Sequence, residues 1–168
     1  MAWEPTNEAP DTRKLVSNLL AFIVANSAAA ATWANGGSTL PGFAKVWNSA
    51  EGRVHKYFPD VMVLSESAVA REAAQGIEVD FELLFEIEVV GKTADTVTEL
   101  AKKYVAALES MLVNIPHATL MAGTSLSLAM VQEMGHDLGA QGKLNSQHFR
   151  APRVRVRWKF TEVDDDGD

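Results

Sequence analysis

Between Ile77 and Val89 every odd position is apolar: Ile77, Val79, Phe81, Leu83, Phe85, Ile87 and Val89. The even positions are acidic at Glu78, Asp80, Glu82, Glu86 and Glu88, with Leu84 the exception. Strict alternation puts the odd side chains on one face of a strand and the even ones on the other. At 3.3 Å per residue such a strand runs roughly 45 Å, longer than most. The period then changes. Ala94, Val97, Leu100, Ala101, Tyr104, Val105, Leu108, Met111 and Leu112 recur at spacings of three and four, the apolar stripe of a helix. Thr93 is its expected N-cap, Asp95 complements the first turn, and Asn114 and Pro116 stop it. A one-faced strand feeding a one-faced helix predicts that the helix folds back over the apolar face, leaving an acidic face outside.

The last element repeats the pattern with the opposite charge. Val154, Val156, Trp158 and Phe160 alternate with Arg153, Arg155, Arg157 and Lys159 in the segment Arg153–Val163. Opposite charges across a sheet contribute roughly 0.2–1 kcal/mol per pair. The two strands are therefore expected to be neighbours, with their charged faces on the same side.

The remaining chain supplies shorter elements. Met1–Pro10 reads as an extended arm carrying Trp3, and Asp11 or Thr12 caps a helix with a stripe of Leu15, Leu19, Phe22 and Ile23. Ala28–Ala31 extend it toward the breaker Gly36-Gly37. Phe43–Trp47 is a short strand and Glu51-Gly52 a turn. Pro59 leads into the apolar run Val61–Leu64, which makes a hairpin with the long strand. Ser65–Gly76 reads as a connection, Pro116–Ser127 as a loop, and Leu128–Val131 as the start of a strand ending near Gly135. Gly139–Pro152, rich in Gly, Gln, Asn and Ser, reads as a mobile loop, and Asp164–Asp168 as a solvated acidic tail. The expected architecture is one α+β domain over residues 1–168: an arm (1–10), a body (11–163) and a tail (164–168). The body holds a single, mainly antiparallel sheet with helices packed on one face. Phe81, Leu83, Phe85, Leu100, Tyr104, Leu108, Val156 and Trp158 are its expected core.

The formal net charge of −7 disfavours general affinity for nucleic acid or acidic membranes. The absence of cysteine excludes disulfides and thiolate chemistry. No charge occurs between Lys14 and Lys45, but acids at Glu4, Glu8 and Asp11 and polar breaks at Ser17, Asn18 and Asn26 favour a packed helix over a signal or membrane segment.

Signs of chemistry are sparse. Gly91-Lys92-Thr93 sits where a phosphate loop would end, but Glu86 replaces the required first glycine, so a strand-to-helix turn is expected. Of His55, His117, His136 and His148, only His136-Asp137 with His148 suggests a ligand set, and surface loop histidines explain it more simply. Ser125 and Ser127 lack a nucleophile elbow. The acids of the long strand have the composition of a solvent face, and Arg153, Arg155, Arg157 and Lys159 could touch phosphate while Trp158 and Phe160 point into the core. No catalytic, cofactor-binding or metal residue is assigned, and the chain is not expected to be an enzyme.

The order of elements resembles the tail-terminator (tail-completion) proteins of long-tailed bacteriophages and, more loosely, related neck and minor tail proteins. The resemblance runs over 11–163. It is carried most specifically by Phe58–Leu64, and by Leu128–Asp137 followed by a loop and Arg153–Val163. The alanine-rich Asn26–Gly42 has no place in that pattern. The resemblance implies a virion protein without catalytic residues, assembled in the host cytoplasm as a homo-oligomeric ring, usually a hexamer. Such a ring sits on the head-proximal end of the tail tube, ends tube polymerisation and joins the head–tail connector. Its partners would be itself, the tube protein and the connector, with DNA passing through unbound and no membrane involved. A neck or tube subunit, or a small-molecule-binding or enzymatic α+β domain, are the other readings.

Overall fold

The computed structural model describes residues 12–49, 51–74 and 76–163. The expected arm at 1–10 and tail at 164–168 lie outside them. The elements run α1 (Thr12–Ala34), β1 (Lys45–Trp47), β2 (Asp60–Ala73), β3 (Gly76–Gly91), α2 (Ala94–Asn114), α3 (His117–Leu120), β4 (Leu128–Leu144) and β5 (Gln147–Val163). They form one five-stranded sheet in the order β1-β2-β3-β5-β4, antiparallel except for β1, which lies parallel to β2. The fold is α+β, with its helices on one side of the sheet.

β3 is the long alternating strand, and its odd residues from Val79 onward are in the core: Val79, Phe81, Leu83, Phe85, Ile87 and Val89 are at most 2% exposed, while Ile77 is half-buried against them. β5 lies beside it antiparallel, so Phe81 faces Trp158 and Phe85 faces Val154. α2 covers this surface with Val97, Ala101, Tyr104, Val105, Leu108 and Leu112. It begins as the sequence predicts, with Thr93 Oγ1 accepting from the Thr96 amide at 3.1 Å. All the expected core residues are buried except Leu100, which is half-buried at its margin. α1 packs mainly on α2, α3 and β1. Asn18 Nδ2 donates to the Leu120 and Ala122 carbonyls at 3.0 and 2.9 Å, tying α1 to α3 inside the segment expected to be a loop. The alanine-rich stretch now has a place. It completes α1, and Ser27 Oγ accepts from the Phe43 amide at 3.2 Å as the chain returns toward the sheet. By length and composition α1 could cross a membrane. Here Leu15, Val16, Leu19, Ile23 and Ala31 on one side of it join the core.

Expectations for the strands are corrected as well. Ser65–Gly76 is not a connection: β2 continues to Ala73, paired to β3 throughout. A bulge between Val63 and Ser65 resets the alternation. The strand beyond it lies at the sheet edge and is exposed from Ser65 to Ala73, so it carries no apolar period to read. Gly139–Pro152 is likewise not a loop but the turn region of a β4–β5 hairpin, with Leu144 opposite Gln147, so the strand expected to end near Gly135 runs on to Leu144. Asn145 and Ser146 have φ of 47° and 70°, the two left-handed residues of a type I′ turn. The glycines serve close approach. A side chain at Gly139 would collide with the Ala151 backbone, and one at Gly142 with the Phe149 ring.

Candidate assembly surface

The even residues of β3 and the odd residues of β5 share the face opposite the helices. The register sets Glu82 against Arg157, Glu86 against Arg153 and Asp80 against Lys159. As the sequence predicts, the two strands are neighbours with charged faces together. The ion pairs run partly on diagonals. Lys159 Nζ lies 2.7 Å from Glu78, Arg155 Nε 3.6 Å from Glu82, and Arg153 Nε 3.0 Å from Glu86. Arg157 reaches across to Glu133 on β4 at 3.0 Å, and Arg71 on β2 pairs with Asp80. Pairs this exposed are worth about 0–1 kcal/mol each, enough to fix the register rather than the fold. Their joint effect is to neutralise the face and hold its arginines.

At the Glu86–Glu88 end the face is covered. The chain between β1 and β2 folds over it and inserts Arg53, whose side chain is only 4% exposed. Arg53 NH2 donates to Asp60 Oδ1 at 2.6 Å and its Nε to Oδ2 at 3.1 Å, while NH1 donates to Glu86 at 2.9 Å. Glu88 is 3.6 Å away, and its other oxygen is 2.8 Å from His55 Nδ1. The Trp47 indole N–H also donates to Asp60, at 2.9 Å. Asp60 is fully buried. Burial works to lower the Arg53 pKa, but the hydrogen bond and charge of Asp60, with Glu88 and Glu86, outweigh it and the pKa is raised. One permanently charged guanidinium thus serves three carboxylates and fixes the loop to the sheet. Sequence reasoning missed this cluster. Its only local sign is an aspartate heading the apolar run Val61–Leu64.

The residues considered for chemistry are not brought together. His136 pairs with Glu109 on the helix side, 2.6 Å away, while Asp137 accepts from the Gly139 amide at 2.7 Å. His148 lies opposite Lys143, well along the hairpin from His136, which lies opposite Val154. Among the described residues no cluster of three or more His, Asp or Glu can hold a metal ion. Gly91-Lys92-Thr93 is the β3–α2 turn. Ser127 Oγ donates to the Thr161 carbonyl at 3.1 Å.

The sheet also has two open edges among the described residues. β1 pairs only with Asp60–Met62, so β2 from Ser65 onward has β3 on one side and no strand on the other. β4 is the opposite edge along its whole length. Backbone amides and carbonyls on such edges are ready to pair with another chain.

No protein-family model matches this chain, and no curated protein does. Among solved structures, a chain of the virion of a native gene transfer agent particle matches with a TM-score of 0.44 and 13% identity. The match covers 86% of this chain and 97% of that one. A likeness of this strength lends no function to the chain.

Proposed function

We propose that this protein is a non-enzymatic structural subunit of a phage-type tail. It forms a homo-oligomeric ring, a hexamer, on the head-proximal end of the tail tube, ends tube growth and presents the surface that meets the head connector. The observation that carries this reading is the sheet face left free of helices, whose acids and arginines neutralise one another. A ring around duplex DNA needs a lining that does not grip phosphate. Arg153, Arg155, Arg157 and Lys159 are each held by a carboxylate, so few cations remain to release counterions from DNA. The open β2 and β4 edges supply surfaces by which copies can join.

Native mass measurement tests the ring first: the expected species is a multiple of the 18.2 kDa chain. Titration with duplex DNA tests the lining, with little binding expected. Tight binding that falls steeply with salt would overturn it. Loss of the protein is expected to give overlong tails or tails that do not join heads. Normal tails without it would refute the terminator role, and labelled rings found away from the tube end would favour a neck or tube subunit.

A further inference from the structure

The loop that Arg53 pins and the strand β1 that precedes it carry a second feature together. Trp47 and Tyr57 pack at 6.3 Å between ring centroids. Lys45 Nζ sits 5.2 Å from the Trp47 ring and Lys56 Nζ 5.1 Å from the Tyr57 ring. Val54 and Tyr57 are 45% and 40% exposed. Among the described residues neither Lys45 nor Lys56 has a carboxylate partner, unlike the cations of the sheet face. Surface aromatics usually lose freedom on binding, but half-buried Trp47 at the end of β1, with Tyr57 packed on it, is mounted on a buried salt bridge. Asp60 holds Arg53 and the Trp47 indole at once. Rigid aromatics flanked by free cations are the composition of a binding hot spot for an acidic chain.

The same sequence contains such a segment: Asp164, Asp165, Asp166 and Asp168 follow β5 directly. It cannot reach the platform of its own chain. β5 ends at Val163, opposite Gly76 of β3, whereas Lys45 joins the sheet opposite Asp60, which lies opposite Glu88. The stretch of β3 from Gly76 to Glu88 spans about 40 Å. Asp168, five residues beyond Val163, extends at most about 18 Å from it. We infer that the platform of Lys45, Trp47, Val54, Lys56 and Tyr57 binds the acidic segment Asp164–Asp168 of a second copy of this chain. Such a contact joins two different patches, so it is head-to-tail and repeats into a closed ring or a filament. It rests on the reading that copies associate, and it names the residues that set their order.

A peptide of residues 162–168 is titrated into the full chain and followed by tryptophan fluorescence. Saturable binding that weakens as salt rises is expected. It should be at least about tenfold weaker for the K45E/K56E variant and for a peptide with asparagine at each aspartate. K45Q/K56Q controls for folding, since both lysines are exposed. Absent binding, or equal binding by K45E/K56E, overturns the inference. So does binding of a short DNA duplex but not the peptide at these lysines, which assigns the platform to phosphate. In native mass measurements K45E/K56E is expected to fall to monomer and to reassemble with a D164K/D165K/D166K partner. Oligomers unchanged by K45E/K56E overturn the inference and leave the ring reading standing. A wild-type monomer at all concentrations overturns both.

Discussion

The odd and even residues of β3 meet different surroundings. Under α2, Phe81 and Phe85 are 2% and 0% exposed. On the other face Glu78 and Glu82 keep 26% and 38% of their side chains in contact with solvent. That exposure falls to 13% at Glu86 and 10% at Glu88, where the loop bearing Arg53 lies over the strand. The covered face is held by shape and apolar area, which tolerates no gap. The open face is held by exchangeable pairs that offset one another's charge. Where the loop closes over it, the same residue types enter a drier setting, and pairing becomes obligatory because an unpartnered buried charge is costly.

Substitutions can break this contrast, and the largest effect belongs to the covered face. Phe85→Ala should lower the unfolding free energy by about 3–5 kcal/mol in urea titrations. Arg53→Met comes next, at about 3 kcal/mol, because it strands Asp60 with one indole N–H for company. Replacing Arg53 and Asp60 together by apolar residues should cost clearly less than Arg53→Met alone. Equal costs would mean the cluster is no more than another surface pair.

A pH experiment sharpens the covered side. Burial pushes the Tyr104 phenol up from 10.0 to about 12, and its hydroxyl donates to the Pro41 carbonyl at 2.6 Å. The unfolded chain loses this proton first, so stability is full below pH 10 and falls as the pH rises toward 12. The loss should approach about 2 kcal/mol, and Tyr104→Phe should flatten that part of the profile. The smallest effects belong to the open face: Arg155→Gln or Lys159→Gln should each cost under about 1 kcal/mol, less at high salt.

The two faces also differ in how far they could be read from residues alone. β3, α2 and β5 each bury one side, so their periods show directly in the sequence and their pairing follows from opposite charge. The outer half of β2 buries nothing, and a strand without a buried face has the composition of a loop. Around Gly139–Pro152 composition misled in the same way, although Asn145 at the turn was a usable signal. The Arg53 cluster left no trace in any period. It joins Arg53 to Glu86, 33 positions away, through a loop whose path only the fold decides.

The bulges of the sheet have a consequence for how such a chain can change over time. All of them lie in the outer strands: at Val63/Ser65 in β2, and at Val131/Glu133 and Asp137/Ala140 in β4. Val63 and Ser65 face consecutive partners on β3, Phe85 and Leu84, so Leu64 is a surplus residue; Gln132 stands in the same relation to Trp158 and Arg157. Loss of Leu64 or Gln132 leaves every other pair of its strand on its present face, whereas a residue lost from β3 or β5, which pair with each other without a register shift, turns the remainder of that strand over. Insertions and deletions of one residue are therefore survivable at the rim of this sheet and forbidden at its centre, and divergence in length among descendants of this chain should collect there.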